Sequence, residues 1–219
     1  MSSIRNISSS NIVPSDIAQK LGTGGVNEII EVMWLAFHDL KESMIITVSD
    51  QEDAITQEWY IKLHNRWTSE NRAARLTFYL TPINQYSDDT MAKSRRKSPV
   101  IDFCFRSWDK NDGYFGAECK NLYAGNRAKT IRYVEKGVKH FVSGYYGSKS
   151  SVSAMIGYIL SGTELELANE LLPIIGEMNP IQNLGRELLV PNPQYKSIHI
   201  RTSDKQHITV HHLLFGFTS

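Results

Sequence analysis

Cysteine is scarce, long apolar runs are missing and net charge is close to zero, and each shortage closes off a class of protein. Two cysteines in 219 residues, Cys104 and Cys119, exclude a disulfide-framed secreted scaffold and agree with a reducing compartment. No apolar stretch approaches the roughly 20 residues that cross a bilayer, so no membrane partner is expected. The opening residues Met-Ser-Ser-Ile-Arg-Asn-Ile-Ser-Ser-Ser lack the apolar core of a secretory signal. They read as a disordered arm over residues 1–13, with a cytoplasmic location. The rest, residues 14–219 of a chain that is 41% hydrophobic, is expected to form one domain with a real core.

A net charge of +1 names no partner, but its distribution does. From Asp16 to Glu70 ten acids face four Lys or Arg, a balance of −6, whereas from Lys120 to Lys149 seven Lys or Arg face Glu135 alone, a balance of +6. A positive surface on one side of the molecule suits a polyphosphate backbone.

Periodicity gives an α/β order. Ser15 caps a short helix expected to stop at Gly22-Thr-Gly-Gly, and Val26, Ile29, Ile30, Met33, Trp34 and Phe37 recur at helical spacing after it. Ser49-Asp-Gln-Glu52 reads as a capping box opening a helix with Ile55, Trp59, Leu63 and Trp67 four apart. Leu76-Thr-Phe-Tyr-Leu reads as the first strand, followed by a polar loop from Ser87 to Lys97 that carries Lys93, Arg95, Arg96 and Lys97. A helix from about Arg127 presents Ile131, Val134, Val138 and Phe141 on one side and Lys129, Arg132, Lys136 and Lys139 on the other. Ala154-Met-Ile-Gly-Tyr-Ile-Leu reads as a buried strand, Thr163-Glu-Leu-Glu166 as a second capping box, and Tyr195–Thr202 and His207–Phe217 as closing strands. His207, His211 and His212 fall on two faces of a strand and do not converge as zinc ligands.

Chemistry concentrates between these elements. Pro99-Val-Ile-Asp-Phe-Cys-Phe-Arg and Tyr114-Phe-Gly-Ala-Glu-Cys-Lys-Asn read as two strands of a hairpin turned at Asp112-Gly113. Glu118 and Lys120 are two apart and share a face, with Asp102 beside them. Ile101, Phe103, Phe105, Phe115, Ala117 and Cys119 are expected to make the opposite, apolar face. Two neighbouring carboxylates raise each other's pKa unless a cation joins them. A divalent cation answers that need, and hard oxygen ligands suit magnesium or manganese.

Asp102 with Glu118-Cys119-Lys120 resembles the PD-(D/E)XK nuclease superfamily, in which an Asp on one strand and a Glu-x-Lys on the next bind metal. Pro99 stands three residues before Asp102, where the motif has its Pro immediately before. Tyr133-Val-Glu-Lys-Gly-Val-Lys-His-Phe-Val and Ala154–Leu160 are also similar to small bacterial members associated with defence against phage. The resemblance implies a restriction-endonuclease-like core, a central mixed β-sheet flanked by helices, and a metal-dependent endonuclease acting on nucleic acid, DNA first. It implies that Asp102, Glu118 and the Cys119 carbonyl hold Mg²⁺ or Mn²⁺ while Lys120 acts on the attacking water. A third acid on a helix before the first strand is matched best by Glu52, with Glu28 and Glu31 as competitors. Glu52 is equally the reciprocal partner in the Ser49 capping box. The basic residues Lys129, Arg132, Lys136, Lys139, Arg95 and Arg96 would track the backbone. A homodimer would ease two cuts on a duplex, and a partner protein of a defence system would fit the setting. The rival reading is a non-catalytic nucleic-acid-binding or accessory subunit with a decayed site.

Overall fold

Four-residue spacing of Ile55, Trp59, Leu63 and Trp67 builds one stripe of large side chains on a helix, and the stripe is buried along its whole length. The structure is a computed structural model and describes residues 17–47, 49–69, 80–88, 98–107, 113–187 and 192–218. Two helices, α1 (Ile17–Glu42) and α2 (Glu52–Ser69), pack together on one face of a sheet. Its seven strands are β1 (Leu80–Ser87), β2 (Val100–Ser107), β3 (Tyr114–Tyr123), β4 (Val152–Ser161), β5 (Gln182–Glu187), β6 (Gln194–Ile200) and β7 (His207–Gly216). They lie in the order β1-β2-β3-β4-β7-β6-β5. The pairs β3/β4 and β4/β7 are parallel and the others antiparallel, which makes the sheet mixed.

The other face carries α3 (Arg127–Tyr133), a π-helical turn (Val134–Val138), α4 (Lys139–Val142) and α5 (Glu164–Gly176). Helices on both faces explain why β3 and β4 are buried at nearly every position, since central strands of such sheets have no wet side. One core joins α1 and α2 to Phe103, Phe105, Phe115, Ala117, Cys119, Ile156 and Phe215. The second joins α3, the π turn, α4 and α5 to Ile101, Cys104, Leu122, Met155 and Leu214. Cys104 and Cys119 therefore lie in opposite cores, as strand parity requires. Among the described residues no helix is long and apolar enough to cross a membrane.

Several local expectations change. α1 runs unbroken through Gly22, Gly24 and Gly25, because glycine lowers helix propensity by about 1 kcal/mol without blocking the helix as proline does. The first described strand is Leu80–Ser87, and it tolerates Pro82 because β1 is a sheet edge among the described residues. β5 went unread, since Gln-Asn-Leu-Gly-Arg-Glu has neither alternation nor β-branched residues. Ile131 is exposed, because the π turn inserts a residue per turn and shifts the apolar stripe to Tyr133, Val134, Val138 and Phe141. The Thr163 capping box forms, with both reciprocal bonds present. The arm 1–13, residues Leu76–Tyr79 and the basic group Lys93, Arg95, Arg96 and Lys97 lie outside the described residues.

A histidine network ties α3 to the far strands. His212 Nδ1 is 3.0 Å from the Tyr133 hydroxyl, its Nε2 is 2.9 Å from Ser197 Oγ, and Ser197 Oγ is 2.8 Å from His199 Nε2. Burial, reinforced by His199 and His211, pushes His212 down to about 3, and burial pushes His199 down to about 4. An unfolded histidine titrates near 6.5, so these groups stabilise the fold fully above that pH and lose the contribution as pH falls toward their folded values. At pH 5 the loss is on the order of 2 kcal/mol per histidine. The urea midpoint of a His199→Gln, His212→Gln variant should therefore shift downward less than that of wild type between pH 7 and pH 5; equal shifts would contradict the assignment.

Candidate active site

β2 and β3 pair from Phe103↔Ala117 to Arg106↔Tyr114 and then part. Past that fork β3 continues beside β4 alone, and its amides on the open side need acceptors. Asp102 supplies one, its Oδ2 accepting from the Cys119 N–H at 2.7 Å. Glu52, the first residue of α2, supplies the next, its Oε2 accepting from the Asn121 N–H at 3.2 Å. Residues 119 and 121 face the same way along the strand, so two carboxylates stand where a neighbouring strand's carbonyls would.

Glu118 and Lys120 alternate with them and point under the α3–α4 helix, where they are only 6% and 5% exposed. The Lys120 ammonium reaches Glu118 Oε1 at 2.9 Å and Glu52 Oε1 at 2.9 Å, lies 3.9 Å from Asp102 Oδ2, and donates to the Cys119 carbonyl. Three carboxylates and one carbonyl thus surround a single cation. Glu52 does not complete the expected capping box, because its carboxylate is turned to Lys120 and Asn121 while the Ser49 hydroxyl meets Thr47. Ile101 does not continue the Phe103/Phe105 face. It packs with Cys104 and Tyr114 on the Glu118 side, because the ladder ends at Phe103 and Asp102 bends to its amide.

The electrostatics follow from burying three acids with one base. Burial, then the charge of Asp102, pushes the Glu118 carboxyl up to about 8, against the pull of Lys120. Burial also raises Asp102, which Lys120 and the Cys119 amide partly offset. Burial by itself would lower Lys120, but Glu118, Asp102 and Glu52 outweigh it and hold the ammonium above its ordinary value. The Cys119 thiol, on the opposite face, is raised by burial and acts as core.

The cluster is short of positive charge. Glu118 Oε2 is buried with no hydrogen-bond partner, and an orphaned carboxylate oxygen is costly unless a cation meets it. Among the described residues no three His, Cys, Asp or Glu side chains stand around an open point at ligand spacing, since the Lys120 ammonium takes the centre. The donors are all hard oxygens, and carboxylates with a backbone carbonyl fit magnesium or manganese better than zinc.

A recess of about 540 Å³ opens beside Glu118 and Lys120, walled by Ile131, Arg132, Lys136, His140 and Tyr146. Gly137 permits this closeness, because a β-carbon there would stand 2.1 Å from Met155 on β4. Of the basic stripe, Arg132 and Lys136 border the recess. Lys129 instead lies over the Tyr123 ring at 5.8 Å, and Lys139 pairs with Glu135 on the exposed surface. Glu28 and Glu31 sit exposed on α1, and of the three N-terminal candidates it is Glu52 that bonds to Lys120 and Asn121.

Asn121, His140 and Tyr146 join the site without a motif of their own. Asn121 donates from its side chain to the Asp50 carbonyl at 3.0 Å and so helps fix the start of α2 against β3. The His140 ring is 5.0 Å from that of Tyr146, and burial followed by Lys136 and Lys120 holds His140 below its ordinary value. Only their closeness in sequence to the Glu-x-Lys strand and the basic helix could have signalled them. Comparison with protein-family models, with curated proteins and with solved structures gave no match.

Proposed function

We propose that this protein is a metal-dependent nuclease that hydrolyses phosphodiester bonds in nucleic acid, DNA first, on a restriction-endonuclease-like core. The observation that carries the reading is the convergence of Asp102, Glu118, Glu52 and the Cys119 carbonyl on one buried cation position. It is supported by the order of the elements: an acid at the start of a helix, an Asp strand, and a Glu-x-Lys strand beside it. These are the parts that the PD-(D/E)XK resemblance assigns to metal binding. A cytoplasmic effector of defence against phage is the setting that the same resemblance implies.

Asp102, Glu118, Glu52 and the Cys119 carbonyl would hold magnesium or manganese. When bound, that ion supplies a Lewis acid that polarises the scissile phosphate and lowers the pKa of water. The chain's own residues do the rest. Lys120, the only cation inside the cluster among the described residues, donates to a phosphate oxygen or orients the attacking water and offsets charge that develops on the phosphorane oxygens. Arg132 and Lys136 hold flanking phosphates at the mouth of the recess. Burial of Glu118 and Lys120 keeps bulk water from screening these interactions.

Binding separates the two groups of basic residues. Arg132→Ala and Lys136→Ala should each weaken binding of a duplex or single strand regardless of sequence and lower the salt slope by about 1. Lys129→Ala and Lys139→Ala should change the slope less, since their charges are engaged elsewhere. Fluorescence anisotropy across a salt series reads both. Equal slopes for all four variants and wild type would remove the recess as the binding face.

A further inference from the structure

The Lys120 ammonium stands at the focus of one oxygen from each of three carboxylates and of the Cys119 carbonyl. Its contacts, two carboxylates at 2.9 Å, a third at 3.9 Å and the Cys119 carbonyl, form the oxygen shell of a cation site, filled by a side chain of the same strand. One shell cannot hold two cations at its centre. We propose that Lys120 is the resident counter-ion of the site, that a divalent metal enters only by displacing its ammonium, and that the displaced ammonium is then the group presented to phosphate.

Two features of the site favour exchange over coexistence. Glu118 Oε2 is buried without a partner, so a more highly charged ion gains an acceptor that Lys120 leaves unused. The recess lies directly beside Lys120 on the Arg132 and Lys136 side, which gives the ammonium somewhere to go. The open side at the β2–β3 fork, where Asp102 and Glu52 have side chains 27% and 21% exposed, gives the metal a way in. Exchange also keeps the resting protein folded, because three clustered carboxylates without any cation would repel one another.

The consequence is a metal affinity held down by the protein itself. If the conformation with Lys120 displaced is populated at about 1%, the apparent dissociation constant is raised ~100-fold over that of the open carboxylate shell. Lys120→Met should then bind Mn²⁺ about 100-fold more tightly than wild type, although the resemblance-based mechanism leaves it unable to cleave. Lys136→Met removes a charge of the same sign from the same recess and is the control for general electrostatics. It should tighten Mn²⁺ by no more than about 5-fold.

The inference rests on the nuclease reading for the purpose of the metal, but its test needs no cleavage. Mn²⁺ titrations of wild type, Lys120→Met and Lys136→Met by calorimetry give the three constants, with circular dichroism in chelator to confirm folding. A large tightening confined to Lys120→Met supports the proposal; no tightening, or equal tightening in both variants, overturns it while leaving the metal site standing. Absence of Mn²⁺ binding in all three proteins removes the metal reading and the proposal together. If Lys120→Met does not fold, ¹³C spectra of wild type labelled at the lysine ε-carbons decide, with Lys120→Arg used to assign the signal. The Lys120 resonance must shift along the Mg²⁺ isotherm, and a signal that stays in place while metal binds contradicts displacement.

Discussion

Asp102→Asn should abolish nucleic-acid cleavage while leaving the protein folded, and in chelator it should melt at or above the wild-type temperature. Both halves come from one local fact. The Asp102 carboxylate accepts the Cys119 amide at 2.7 Å, and asparagine keeps an oxygen for that bond. What it removes is a negative charge from a cluster of three acids and one base, a cluster in which burial, then the charge of Asp102, already pushes Glu118 up to about 8. Function needs that charge and stability does not, the usual conflict at a preorganised site. The expected drop in cleavage is on the order of 10²–10³-fold or beyond, the scale of deleting one preorganised electrostatic group. Asp102→Ala should lose the same activity but also destabilise the fork, since the buried amide is left without an acceptor. Undiminished cleavage by either variant overturns the assignment of Asp102.

Glu52→Gln is expected to be nearly as damaging, although residue 52 lies 66 positions before Glu118. Glu52 bridges the Lys120 ammonium and the Asn121 amide, so one side chain holds α2 to the open edge of β3 and contributes charge to the shell. Glutamine can keep one of these bonds and supplies no charge. Activity should fall on the order of 10²-fold with the fold retained. Glu28→Gln and Glu31→Gln should match wild type. A Glu52→Gln enzyme of full activity, with either α1 variant impaired, would move the third acid to α1.

Raised carboxyl groups also give the metal-free protein a pH signature in the opposite sense to the histidines. Glu118 binds its proton more tightly when folded, so its contribution is present below about 4.5 and is lost as pH rises toward about 8. Glu118→Gln should therefore flatten the loss of stability on the alkaline side in chelator and steepen the acid-side loss assigned to His199 and His212, which the raised Glu118 opposes down to about pH 4.5. Denaturation midpoints of both proteins from pH 5 to pH 8.5 read the two arms separately; an alkaline arm that persists in Glu118→Gln would mean that another group causes it.

The chemistry was legible because strand parity is a short-range rule. Glu118 and Lys120 had to share a face, and the β2–β3 ladder puts Asp102 across from them, while the Asp112 half of the expected turn lies outside the described residues. What the pattern could not show is that the charged face is itself covered. The second core, built on Tyr133, Val138 and Phe141, turns an expected half-wet face into a buried one, and only then do Glu118 and Lys120 become strongly coupled. The fork was equally hidden: an uninterrupted hairpin and one that splays at Asp102 have the same alternation, yet only the second leaves amides for Asp102 and Glu52 to cap. Glu52 was caught between two roles with one sequence signature, and long-range contact with Lys120 decided between them. Helix bounds failed where a local rule met tertiary packing, as when glycines did not stop α1 and the π turn moved Ile131 outward. Lys129 and Lys139 keep their helical spacing with Arg132 and Lys136 but do not line the recess, Lys129 lying over Tyr123 and Lys139 pairing with Glu135.

The most direct test of the central claim is to incubate purified protein and its Glu118→Ala variant with supercoiled plasmid and with single-stranded DNA, in magnesium, in manganese and in chelator, and to follow cleavage on a gel. Wild type should cut in either metal and not in chelator, and a folded Glu118→Ala should not cut at all. Folded wild type that binds DNA in a salt-dependent way and cuts neither substrate in either metal would contradict it, and would make the carboxylate cluster a relic in a binding subunit.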